Sequence, residues 1–190
     1  MRRIILLRHG EVDFKNHKSI SAYEFKEWIA KYNSSDIKCK FPAKDKIKTL
    51  FEQADILVCS NLKRSIQSVE IFEKIPYEID AVFNEAQIPY TNWNLLKLNP
   101  KIWLVFFRVL WLFRYSKNSE SFQEAKNRAK KATQRLVELS KQNKTVVLIG
   151  HGVINKLIQK ELLLQKWKET KKIKRDNWDY GIYEFKSIKI

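Results

Sequence analysis

Cysteine, glycine, proline and methionine are all scarce in this 190-residue chain, which holds two, four, four and one of them. Two cysteines, Cys39 and Cys59, make neither a disulfide framework nor a metal site. Cys59 sits in the apolar run Ile56-Leu57-Val58-Cys59, where a small buried thiol is the ordinary reading, and a reducing, cytoplasmic setting is expected. So few glycines and prolines exclude collagen-like and flexible-linker classes. Acidic residues are also in short supply. The chain has 21 Asp and Glu against 37 Lys and Arg, a net charge of +16. That excess favours an anionic partner without naming it. The apolar stretch at the N-terminus, Ile4-Ile5-Leu6-Leu7, is too short for a signal peptide.

What the chain does have is 44% hydrophobic residues, enough for a core that needs no disulfide or metal. Residues 4–7, 55–59 and 145–149 are short apolar runs that predict buried parallel strands. Helical periodicity fills the gaps. Ser21 with Glu24 forms a capping box ahead of Phe25, Trp28, Ile29 and Tyr32. Ile47, Leu50, Phe51 and Ala54 predict a helix after Pro42, and Leu62, Ile66, Val69 and Phe72 another. Ser121 with Glu124 opens a further helix, residues 153–164 form the next, and the tail 178–190 reads as a last strand. The pattern implies one α/β domain over 1–190, a three-layer α/β/α sandwich around a mostly parallel sheet. Residues 102–115 (IWLVFFRVLWLFRY) predict a helix within a cap-like insertion at about 86–118, and fall short of the ~20 residues needed to span a bilayer.

Open α/β sheets bind ligands beyond the carboxyl ends of their strands. Here those ends carry Arg8-His9-Gly10-Glu11, then Ser60-Asn61-Leu62-Lys63-Arg64-Ser65, then Gly150-His151-Gly152. Guanidinium forks match phosphoryl oxygens, and imidazole serves as nucleophile or donor. Glycine beside each histidine lets backbone amides approach closely. A lone histidine after a strand is ordinarily structural, and Arg64 alone could be a solvated charge. Two histidines and two arginines converging on one sheet edge read as a phosphoryl-transfer site.

These three motifs, in this order and spacing, resemble those of the histidine phosphatase superfamily, also called phosphoglycerate mutase-like. The resemblance covers essentially the whole chain. It implies that His9 is the nucleophile, that Arg8, Arg64 and His151 bind the phosphoryl oxygens, and that Gly10 and Gly152 line the same pocket. Glu85, in Phe83-Asn84-Glu85-Ala86, stands where the family's proton donor is expected. Glu11 is taken to orient the pocket, and the bland reading of Glu85 is an exposed loop carboxylate. Asn16 lies one position later than the asparagine often found in this loop, and is carried as a substrate-binding candidate. Val12 departs from the family's usual small polar residue, while Gly152 replaces the aspartate of the acid phosphatase branch. The motifs also look like a bacterial subgroup for which no substrate is implied.

The leading expectation is therefore a metal-independent, cofactor-free phosphatase acting on a phosphorylated small molecule or a phosphoprotein, including phosphohistidine. A phosphomutase is the nearer alternative, disfavoured by chain length. The other is a catalytically weak pocket protein that docks on an anionic membrane surface or nucleic acid. The basic tract 166–175 supports it, although no nucleic-acid fold motif accompanies the charge. Residues 102–115 could form a cap, a homodimer contact or a peripheral membrane contact. Arg108, within them, is a candidate substrate contact beyond the phosphate; its bland reading, and that of Arg114, is a side chain snorkelling to solvent.

Overall fold

The computed structural model describes residues 1–15, 18–39, 44–174 and 176–186. In chain order the strands and helices are β1 (Arg2–Arg8), β2 (Ile20–Ser21), α1 (Phe25–Ser34), α2 (Lys44–Glu52), β3 (Ile56–Cys59), α3 (Lys63–Glu70) and β4 (Glu78–Ile79). After a short 3-10 turn at Ala81–Phe83 come β5 (Lys97–Leu98), α4 (Pro100–Leu112), α5 (Phe122–Gln142) and β6 (Thr145–Gly150). The chain then forms α6 (Gly152–Leu164), β7 (Lys168–Lys171) and β8 (Tyr180–Phe185).

Continuous apolar strands must bury both faces, and that requirement builds the central sheet. Its order is β4-β3-β6-β1-β8-β7, with β4, β3, β6 and β1 parallel and β8 and β7 antiparallel at one side. Side chains alternate across it. Ile4, Leu6, Val146 and Leu148 face α5 and α6, while Ile5, Leu7, Val147 and Ile149 join the cluster of α2 and α3. The three predicted strands and the predicted layers are all present. The expected tail strand is β8; residues 187–190 of that tail and Pro42 lie outside the described residues.

Both capping boxes form. Ser21 N donates to Glu24 Oε2 at 2.7 Å and Glu24 N to Ser21 Oγ at 3.3 Å. Ser121 and Glu124 make the same reciprocal pair at the head of α5. Ala54 falls just past α2, because its N–H bonds Phe51 O and closes a turn. The basic tract 166–175 contains the edge strand β7. Trp167 and Ile173 are buried at its ends, and Lys171 Nζ pairs with Asp179 Oδ1 at 3.1 Å. Lysines on an edge discourage pairing with another sheet, a role that Lys168 and Lys171 can fill in β7.

A third apolar cluster stands apart from the sheet. α4 starts on Asn99, whose Oδ1 accepts from Lys101 N at 3.0 Å, with Pro100 at the first turn. It turns Trp103 and Phe107 toward Phe25 of α1, with Phe107 stacked on Phe25 at 5.4 Å and on Trp103 at 5.5 Å. Trp103 Nε1 donates to Ile20 O at 2.7 Å, which satisfies the buried indole. Phe107→Ala leaves a void in this cluster and is expected to cost about 3–5 kcal/mol of unfolding free energy in urea. Phe113→Ala, at a side chain 80% exposed, should change it by less than about 0.5 kcal/mol.

Candidate active site

The parallel register of β1 and β6 sets Arg8 opposite Gly150, so His9 and His151 leave adjacent strands side by side. His9 N donates to Gly150 O at 3.1 Å, and the two imidazole centroids stand 5.0 Å apart. Both rings are enclosed, His9 with 3% of its surface exposed and His151 with none. Arg64 enters from the first turn of α3, buried beside them. Its Nε is 3.2 Å from His9 Nε2.

His9 Nδ1 lies 2.6 Å from Gly10 O, a carbonyl that can only accept, so this nitrogen carries the proton. Nε2 is then the unprotonated nitrogen and faces Arg64. Burial, followed by the Arg64 charge, lowers the His9 pKa to about 3, against the opposing Gly10 bond. The ring is neutral at physiological pH. His151 is also held well below its ordinary value, by burial first and then by His9, Arg64 and Arg8. Its Nε2 is 2.6 Å from Ser60 Oγ, and its Nδ1 has no hydrogen-bond partner among the described residues.

Glu85 follows the 3-10 turn, whose Asp80 cap accepts from Val82 N. Its carboxylate sits on the amino end of α6. Oε1 accepts from Ala86 N at 2.9 Å, Ile154 N at 3.0 Å and Val153 N at 3.1 Å. Glu85 is not an exposed loop carboxylate. A methyl group built on Gly152 would lie 3.6 Å from Glu85 Oε2 and 3.9 Å from the Arg8 guanidinium carbon, so these two groups flank Gly152. Arg64 is pulled below its ordinary pKa by desolvation, while Tyr32 and Glu85 beside it oppose that shift.

Arg8, His9, Arg64, Glu85, His151 and Gly152 thus come together. Gly10 is at the same edge, but its N–H is engaged by Ser68 Oγ at 2.8 Å. A methyl group there would come within 2.5 Å of the Trp178 indole, so packing alone demands glycine. Glu11 does not orient the pocket. It is exposed and paired with Lys38 at 2.5 Å. Asn16 lies outside the described residues. Arg108 is turned inward rather than snorkelling: its guanidinium donates to Ala86 O at 2.9 Å and Gln87 O at 3.2 Å and lies over Trp111. It braces the segment after Glu85 instead of reaching the histidines; Arg114 is exposed.

Several partners were missed in the sequence. Asn33 Oδ1 accepts from Arg64 Nη1 at 2.7 Å, and Tyr32 lies under the Arg64 guanidinium at 5.3 Å. Asn177 Nδ2 donates to His9 O at 2.8 Å, and Asn155 Nδ2 to Leu7 O at 3.1 Å. A side chain at Gly150 would collide with Asn155. The signal for Tyr32 and Asn33 was their place at the end of α1; Asn155 and Asn177 carried none. No group of three or more His, Cys, Asp or Glu able to hold a metal occurs among the described residues.

A family model of the histidine phosphatase superfamily (branch 1) matches residues 44–189. The product of the Mycobacterium tuberculosis open reading frame Rv3214 has a similar structure, with TM-score 0.65 and 16% identity over 97% of this chain and 92% of that one. The alpha-ribazole phosphatase of Shigella flexneri follows with TM-score 0.57 and 15% identity over 95% and 89%. A phosphoserine phosphatase variant of Entamoeba histolytica, bound to phosphoserine, gives 0.56 and 17% over 98% and 92%. No curated protein matches the chain. At such identities the structures share its fold.

Two buried neutral histidines have a thermodynamic consequence. Unfolded histidine takes up a proton below about pH 6.5, whereas folded His9 does so only near 3. Between those values the unfolded chain binds more protons, so stability falls as pH falls. Urea unfolding of the wild type should show a loss of stability from about pH 7 to about pH 5, and His9→Gln should show a smaller one. Equal losses in both proteins would overturn the assignment of a neutral, depressed His9.

Proposed function

The chain belongs to the histidine phosphatase superfamily, branch 1, and on that premise we propose that it hydrolyses a small phosphomonoester through a phosphohistidine at His9. The observation that carries this reading is the unprotonated Nε2 of His9, held beside Arg64 and His151 in an enclosed cluster. A nitrogen with a free electron pair is the nucleophile that phosphoryl transfer needs. Enclosure of both imidazoles favours a small substrate over an exposed protein side chain. The relatives named as phosphatases of alpha-ribazole and of phosphoserine point to the same class.

In this mechanism Nε2 attacks phosphorus in line as the bond to the leaving oxygen breaks. Arg64 exchanges its contact with Nε2 for a phosphoryl oxygen, and Arg8 takes another. These charges sit where the equatorial oxygens gain negative charge, so no metal is required. Ser60 Oγ accepts from Leu62 N at 3.3 Å and can give its own proton to His151 Nε2. His151 Nδ1–H is then the donor left for the phosphoryl group. Glu85 is bonded mainly through Oε1, so Oε2, beside Gly152, carries a proton when the substrate binds and delivers it to the departing alkoxide. Water next attacks phosphorus, the P–N bond breaks, and Glu85 takes the water's proton.

Incubation with a labelled phosphomonoester in EDTA is expected to leave acid-labile, base-stable label on the wild type and none on His9→Ala. Label that persists in His9→Ala, or that needs a divalent ion, would sink the mechanism. Glu85→Gln should slow hydrolysis of an alkyl phosphate by roughly 10²–10⁴-fold and of p-nitrophenyl phosphate far less. The same loss on both substrates assigns Glu85 to bracing α6 rather than to proton transfer.

A further inference from the structure

α4 is apolar on two opposite sides. Trp103, Phe107 and Trp111 bury one side against the molecule. Ile102, Val105, Phe106, Val109 and Leu112 form the other, within a stripe of about 120° at 100° per residue, and Phe113 extends it at the helix end. Their exposures run from 38% at Phe106 to 80% at Phe113. A helix on the surface of a water-soluble domain ordinarily carries charge on this side. Just ahead of α4, Trp93, Leu95 and Leu96 are exposed as well.

The charges that this segment itself carries have one sign, with Glu24 of a neighbouring turn near Lys97. From Ala86 to Ser119 the sequence holds no Asp or Glu, but has Lys97, Lys101, Arg108, Arg114 and Lys117. Arg108 is spent inward, while the other four are exposed. An apolar stripe set among exposed cations, in a chain of net charge +16, complements a surface that is apolar beneath and anionic on top. A second copy of the chain fits less well, since pairing two such faces opposes like charges. At 13 residues α4 is about 20 Å long, and no helix among the described residues is long and apolar enough to cross a membrane. The helix would therefore lie flat in the headgroup region.

We propose that the outer face of α4, with Trp93 and the exposed cations beside it, docks this protein on anionic phospholipid bilayers. Docking presents Ile102, Val105, Val109 and Phe113 to the acyl boundary and Lys97, Lys101, Arg114 and Lys117 to the headgroups. The face is separate from the histidine cluster, so the proposal does not depend on the phosphatase reading.

Co-sedimentation of the full chain with vesicles of phosphatidylcholine alone, and of phosphatidylcholine mixed with phosphatidylglycerol, tests it. Partitioning is expected to be at least roughly tenfold stronger on the anionic vesicles and to weaken with added salt. Val105→Ser combined with Val109→Ser should reduce that binding about tenfold. Lys101→Glu combined with Lys117→Glu should abolish the anionic preference, and both variants should keep the wild-type unfolding midpoint. Equal partitioning onto both vesicles, or an anionic preference that survives both variants, overturns the proposal. So does a dimer in sedimentation velocity that Val105→Ser with Val109→Ser disperses, since the face would then belong to a second copy.

Discussion

One backbone register organises this molecule. β1 and β6 pair in parallel with Arg8 opposite Gly150, and each strand gives its next residue, a histidine, to the same edge. Slipping that pairing by one residue would send Ile4, Leu6, Val146 and Leu148 to the wrong face of the sheet, so the core itself fixes the site. Asn155 adds a side-chain tie across the pair through Leu7 O, and its bulk explains the absence of a side chain at Gly150. His9 is therefore positioned by hydrophobic burial on both sides of two central strands. The loop after β1 inherits that rigidity.

Electrostatics at this edge run against stability. Two imidazoles are desolvated beside Arg8 and Arg64, which keeps both rings neutral. The Glu85 charge offsets part of what burial does to Arg64 and to Arg108. Arg108 ties α4 to the carbonyls of Ala86 and Gln87, directly after Glu85, so the outer helix and the carboxylate share one brace. Arg64 itself is met by neutral groups, a ring face from Tyr32 and an amide oxygen from Asn33.

The strands, the helices and the central residues were legible in the sequence because each rests on local pattern. Apolar runs marked β1, β3 and β6, and polar residues just past their ends marked His9, Arg64 and His151. The partners that hold them were not legible, since each comes from a distant segment. Ser60 meets His151 across 91 residues of sequence, and Asn33 meets Arg64 across 31. Orientation was equally hidden. Glu11 belongs to the motif by position, yet it turns outward to Lys38, and the charge of the tract 166–175 gave no sign that Trp167 and Ile173 within it pack into the core. The direction of Arg108 was hidden for the same reason: two carbonyls of a loop over 20 residues away in sequence decide where it points.

The loop that carries His9 is fastened by the segment leading into β8. Trp178 N donates to Arg8 O, Arg8 N to Asp179 O, and Asn177 Nδ2 to His9 O across 168 residues. The Trp178 ring is also what lies against Gly10. The loop that carries His9 is therefore clamped only once residues 177–179 have packed against the end of β1. Loosening the segment 177–179 would unfasten that loop without altering either histidine or the strands that carry them.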